Sequence, residues 1–93
     1  MNYQVPSHLI QEVLRHIDHN DNHVYRDVIV KAHNGALIFR YMNGRWIGAR
    51  NVVAALLALG SINSPMFRLD MPDQTDRALF WLNWSDTLAD YQN

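Results

Sequence analysis

The sequence predicts a small α+β domain, and three observations predict it. Leu9, Ile10, Val13, Leu14 and Ile17 recur at helical spacing near the start. Two Asn-Gly pairs, Asn34-Gly35 and Asn43-Gly44, punctuate a stretch rich in Val, Ile and aromatic residues. The run from Asn51 to Gly60 is almost wholly Ala, Leu and Val. Together they give an N-terminal helix, a three-stranded antiparallel meander and a central apolar helix, with a C-terminal strand or hairpin to follow. The 93 residues fit one domain spanning 1–93, and 48% hydrophobic content is enough to build its core.

The first helix is expected over residues 7–18, with Ser7 as its cap after Pro6. His8, Gln11, Glu12, Arg15, His16 and His19 fall on the side away from the apolar stripe. The polar loop Asp18-His19-Asn20-Asp21-Asn22 ends it.

Val24 to Ala32 is expected as a strand, Ala36 to Met42 as its partner, and Arg45 to Gly48 as a short third strand. Two-residue turns at both Asn-Gly pairs would set Ala32 opposite Leu37, Val30 opposite Phe39, and Val28 opposite Tyr41, which faces Trp46. These side chains share one face. The other face would carry Tyr25, Asp27, Ile29, Lys31, Ile38, Arg40, Met42, Arg45 and Ile47, a mixture of charge and apolar bulk.

The helix at 51–59 should begin at Asn51, or at Gly48 a little earlier, and end at Gly60 in a left-handed cap. With almost no polar side, it is expected to be buried nearly all round beneath the meander. It is too short to span a membrane, which takes about 20 apolar residues. Met66 to Met71 alternates as a strand does. Residues 77–84 have two readings. Phe80, Trp81 and Trp84 favour a strand pairing back on 66–71, with Ser85 capping a short last helix. A helix would instead align Ala78, Trp81, Leu82, Ser85, Leu88 and Ala89. The strand is the expectation carried forward.

Composition narrows the function classes. Cysteine is absent, which removes disulfides and thiolate chemistry. No basic segment followed by an apolar run opens the chain, so no signal peptide is expected, and the cytoplasm is the expected compartment. Net charge is −1, but residues 1–50 carry +2 and residues 51–93 carry −3. No nucleophile elbow and no phosphate-binding glycine loop is present, and no spacing pairs two carboxylates. His16, His19 and His23 lie near Asp18 and Asp21, yet without metal-ligand spacing, so a solvated helix end is the expectation and no metal or other cofactor is assigned. The order helix, hairpin, apolar helix, hairpin resembles a winged-helix domain. The three-stranded sheet backed by a helix is similar to sheet-reading DNA-binding domains of the integrase N-terminal type. The helix at 51–59 has no basic side with which to read a groove.

The expectation is therefore a non-catalytic binding module. Its candidate residues are Lys31, Arg40, Arg45 and Arg50, which would contact phosphates or base edges of a nucleic acid, and Tyr25, which would stack on a base. The alternative is a protein–protein module, or a homodimer, using the same face or the Trp81/Trp84 region.

Overall fold

A computed structural model describes residues 2–92. The order of elements is β1 (Asn2–Pro6), α1 (Ile10–Asp18), β2 (Asp27–Ala32), β3 (Leu37–Met42), β4 (Arg45–Ile47), α2 (Val52–Gly60), β5 (Met66–Asp70) and α3 (Gln74–Leu88), closed by a 3₁₀ turn at Ala89–Tyr91. The α+β class holds, but the chain starts with a strand. Five strands form one antiparallel sheet in the order β1-β5-β2-β3-β4. Neither a winged helix nor an isolated three-stranded sheet describes that arrangement.

The sheet has one covered and one open face. Tyr3, Val5, Val28, Val30, Phe39, Tyr41, Phe67 and Leu69 point to the same side, and all are buried in a single core with residues of all three helices. Apart from buried Pro6, their neighbours along each strand point the other way and are partly or fully exposed. A period of two along the strands is what puts these alternate residues under the helices.

The meander forms where expected, with one change of register. Asn43 (φ 50°) and Gly44 (φ 86°) are both left-handed, the mark of a two-residue hairpin turn, and Tyr41 stands opposite Trp46. At the first turn only Gly35 is left-handed, with φ 90°. The Gly35 amide donates to Ala32 O, the Ala32 amide donates to Ala36 O, and the Asn34 side chain accepts from the Ala36 amide. The turn thus uses three residues and a bulge rather than two residues. Lys31, not Ala32, stands opposite Leu37, and Leu37 leaves the apolar face for solvent. Val30–Phe39 and Val28–Tyr41 pair as expected.

The edge at β1 was not anticipated. Its five residues alternate, Tyr3 and Val5 inward, and pair with Leu69 and Phe67 of β5. That pairing takes the side of β5 that a hairpin from residues 77–84 would have needed. Those residues form the middle of α3 instead, correcting the expectation of a strand. Asp73 starts the helix, its Oδ1 accepting from the Asp76 amide at 2.9 Å.

Two helix ends also differ from expectation. Pro6 O accepts from the Leu9 amide, so a turn occupies residues 6–9 and α1 starts at Ile10 without a cap from Ser7. Of the two expected starts, Asn51 rather than Gly48 caps α2, its Oδ1 accepting from the Ala54 amide. Gly60 stays helical, and Ser61 closes the end, its hydroxyl donating to Ala58 O at 2.7 Å. The most deeply set helix is α1, where Ile10, Val13, Leu14 and Ile17 are all buried. From α2, Val52, Ala55 and Leu59 are buried and Leu56 packs half-buried against the core, so the expectation of burial nearly all round fails.

Candidate functional site

The open sheet face carries Lys31, Arg40 and Arg45 as expected, but two of the three cations are already paired. Arg40 forks onto the Asp27 carboxylate, Nε to Oδ1 at 2.8 Å and Nη2 to Oδ2 at 2.7 Å. Those hydrogen bonds, more than the charge itself, raise the Arg40 pKa further above its ordinary range. Lys31 Nζ lies 3.4 Å from Asp70 Oδ2 on the neighbouring strand. Arg45 is exposed at the short edge strand β4, and Arg50 is exposed in the loop before α2, away from the face. Arg68 stands on this face between Gln4 and Lys31, a cation that sequence reasoning did not place there. Among the described residues no aromatic side chain stands on the open face.

Tyr25 belongs to a different place. It precedes β2, and its ring is fully buried on the helix side. His16 Nε2 lies 2.9 Å from its hydroxyl, and the His23 ring meets it edge-on at 5.1 Å. Burial, then the Asp76 carboxylate and Tyr3, drives the Tyr25 pKa far above its ordinary range. Burial lowers the His16 pKa below its ordinary value of 6.5. A neutral His16 ring accepting a hydrogen bond from the Tyr25 hydroxyl at Nε2 fits both shifts.

Asp76 is the centre of this cluster and is fully buried. Its Oδ1 and Oδ2 accept from the Arg26 amide at 3.1 and 3.0 Å, and Oδ2 accepts from the Asp27 amide at 3.0 Å. His23 Nε2 donates to Oδ1 at 2.8 Å. A carboxylate so fully engaged fixes α3 to the chain entering β2 and has no lone pair directed at a substrate. Trp46 Nε1 donates to Asp18 Oδ1 at 2.8 Å, tying β4 to the end of α1. His19 is exposed and lies 3.1 Å from Asp18. The three histidines have separate polar partners, although His16 and His23 both touch the Tyr25 ring, and among the described residues no group of three or more ligand-type side chains is placed to hold a metal.

Exposed large apolar side chains include Val24, Leu37, Ile47 and Leu82, each on a different element or loop, while α2 carries two on one helix face. Val53 is 53% and Leu57 72% exposed, one turn apart on the side opposite the buried stripe. A groove of about 260 Å³ runs beside them, lined by Gln11 and Arg15 of α1 and by Val53, Leu56 and Leu57. From Asn51 to Phe67 the chain holds no charged residue. That absence is visible in the sequence, and it was read as a sign of burial. What the sequence did not disclose is that α1 occupies the deep position and leaves α2 at the margin.

Compared with protein-family models, with curated proteins and with solved structures, the chain matches none. No helix among the described residues is long and apolar enough to cross a membrane.

Proposed function

We propose that the chain is a non-catalytic protein-interaction module that docks through the outer face of α2. The observation that carries the reading is the exposure of Val53 and Leu57 on a helix with no charged residue. A solvent-facing helix ordinarily sets polar residues on its outer side, and contiguous apolar exposure marks a docking surface. The reading also draws support from Asp76, His16 and His23, whose polar atoms already serve the fold.

The test asks whether this apolarity serves the fold. Val53→Gln and Leu57→Gln should each change stability by no more than about 0.5 kcal/mol, as surface substitutions do. Both should lower binding of a dye that reports exposed apolar surface. Urea unfolding and dye fluorescence give the two readouts. A loss of 2 kcal/mol or more, on the order of a core truncation, would show that the face belongs to the core and would end the reading.

A second reading, association with nucleic acid, is favoured by Arg45 and Arg50, both exposed and without an ion pair among the described residues. It requires Lys31 and Arg40 to release Asp70 and Asp27. A labelled duplex binding at low salt, weakening steeply as salt rises and lost in Arg45→Ala/Arg50→Ala, would put this reading first.

A further inference from the structure

We propose that the open face of the sheet binds an acidic segment of a partner protein, one carboxylate of which seats on Arg68. This surface lies on the layer opposite α2, and the inference does not depend on the docking reading above.

Arg68 carries the argument. Phe67 and Leu69 on either side of it point to the core, so its own side chain points to the open face. It stands directly opposite Lys31 of β2, and like charges facing each other across two strands destabilise a sheet. Among the described residues it has no ion pair, and its Nε is buried without a hydrogen-bond acceptor. A buried donor left unpaired costs the fold stability. Burial of Nε also holds the guanidinium in place. Its Nη1 reaches the first hairpin turn, 3.9 Å from where a Cβ on Gly35 would stand. The terminal nitrogens make no hydrogen bond either and are not buried. With no side chain at Gly35 to cover them, they are left to meet a carboxylate in the fork geometry that arginine favours.

Charge selects the partner. Arg40 takes the Asp27 carboxylate and Lys31 meets Asp70, which leaves Arg68 and Arg45 without an acid. Four cations and two carboxylates make the face +2, whereas the whole chain carries −1 and the remainder therefore −3. A positive face on a negative molecule complements an acidic partner. Lys31, Arg68 and Asp70 together carry one positive charge, which a single carboxylate neutralises. A phosphate group, at about −1.5 to −2, would overshoot it.

The rest of the face suits a peptide. Ile29, Ile38 and Met42 stand among these cations, partly exposed. A segment with apolar residues between its acids matches that mixture. A nucleic acid finds no aromatic ring there on which to stack a base, and its phosphates follow one another without apolar groups between them.

An NMR titration with a blocked octapeptide of repeating Glu-Glu-Leu-Leu tests the proposal. In extended form that peptide sets acids and leucines in turn along each side. At low salt and millimolar peptide, the Lys31, Ile38 and Arg68 amides and the Arg68 Nε–H should shift and saturate. The matching Gln-Gln-Leu-Leu peptide should leave them unmoved. Arg68→Met keeps the apolar stem and removes the guanidinium. It should bind about tenfold more weakly, as the loss of one charge-assisted contact predicts, while its urea midpoint stays level or rises. Arg45→Gln, at an exposed edge position, should also weaken binding. Leu57→Gln should bind as the wild type does. Absence of shifts, equal shifts with the glutamine peptide, or binding unchanged in both arginine variants overturns the proposal. So does a lower midpoint for Arg68→Met, because the arginine would then serve the fold. A short single-stranded oligonucleotide that shifts the same amides at lower concentration than the acidic peptide overturns the peptide as occupant. Shifts centred on α2 would end this inference and leave the docking reading above standing.

Discussion

His23 Nε2 lies 2.8 Å from Asp76 Oδ1, joining positions 53 residues apart in the chain. The contact brings the loop after α1 to the first turn of α3, beside the two backbone amides that Asp76 also receives. One buried carboxylate thus receives amides where β2 begins, before its pairing with β5 starts at Ile29.

Replacing that carboxylate should be the most damaging single change in the loop region. Asp76→Ala leaves the Arg26 and Asp27 amides and the His23 ring without the fully buried acceptor they share. Losing one partner of a buried charged network costs about 3–5 kcal/mol. Asp76→Asn keeps one acceptor oxygen and should cost about half as much, since a buried group left unpaired costs about 1–3 kcal/mol. Urea unfolding at neutral pH measures both. Equal and small losses would show that the network adds little to stability.

His16 should make stability depend on pH. Its ring packs against Tyr25, Phe80 and Trp84, and burial lowers its pKa from 6.5. The unfolded chain therefore binds a proton more readily than the folded one. Stability from this residue is complete above pH 6.5 and falls as pH drops from 6.5 to the lowered folded value. His16→Gln keeps a polar partner for the Tyr25 hydroxyl and removes the titration. Its unfolding midpoint should be flatter than that of the wild type between pH 7 and 5, and an unchanged slope would assign the effect to another group.

The local rules of turn and cap were legible in the sequence, while the placement of whole elements was not. Asn43-Gly44 set Tyr41 against Trp46, and Asn51 capped α2, because short-range geometry decides both. The bulge at Gly35 was hidden, since Asn-Gly suits a two-residue turn and a three-residue one alike. The strand at β1 escaped notice because its alternation covers only Tyr3 and Val5 and gains meaning from β5, more than 60 residues on. Once β1 fills that side of β5, the aromatic run at Phe80 and Trp81 has no strand to pair with. The candidate cations were placed on the correct face at Lys31 and Arg40, but Asp27 and Asp70 belong to the same face and the pairing depends on strand order. Tyr25 was assigned by extending the alternation of β2 past its true start at Asp27.

Gln92 should protect the free edge at β1. Its side-chain amide imitates a strand residue: the Gln4 amide donates to Oε1 at 2.8 Å, and Nε2 donates to Gln4 O at 2.7 Å. Open strand edges invite pairing with other chains. Gln92→Ala should cost about 1–2 kcal/mol for the lost hydrogen bonds. It should also speed hydrogen exchange at the Gln4 amide while leaving the Val30 amide unchanged. Equal protection of Gln4 in both proteins would show that the edge is guarded by something else.

Three glycines should respond to alanine in opposite directions, because their backbones and surroundings differ. Gly48 has φ +93°, and an added Cβ would stand 3.2 Å from the Phe39 Cβ, where the chain leaves β4 across a buried ring. Both the left-handed backbone and the contact oppose a side chain, so Gly48→Ala should cost about 2 kcal/mol or more, above the 1–2 kcal/mol of the backbone conformation alone. Gly44 shares the left-handed backbone at φ +86° but has only Val24 Cγ1 at an ordinary 3.8 Å. Its alanine variant should show about 1–2 kcal/mol, the backbone contribution without the clash. Gly60 lies within α2 and meets nothing within 4 Å. Helix preference alone then decides, and Gly60→Ala should stabilise by up to about 1 kcal/mol. Thermal or urea unfolding of the three variants gives the ranking. A Gly60→Ala variant less stable than the wild type would show that helix preference does not decide at this position.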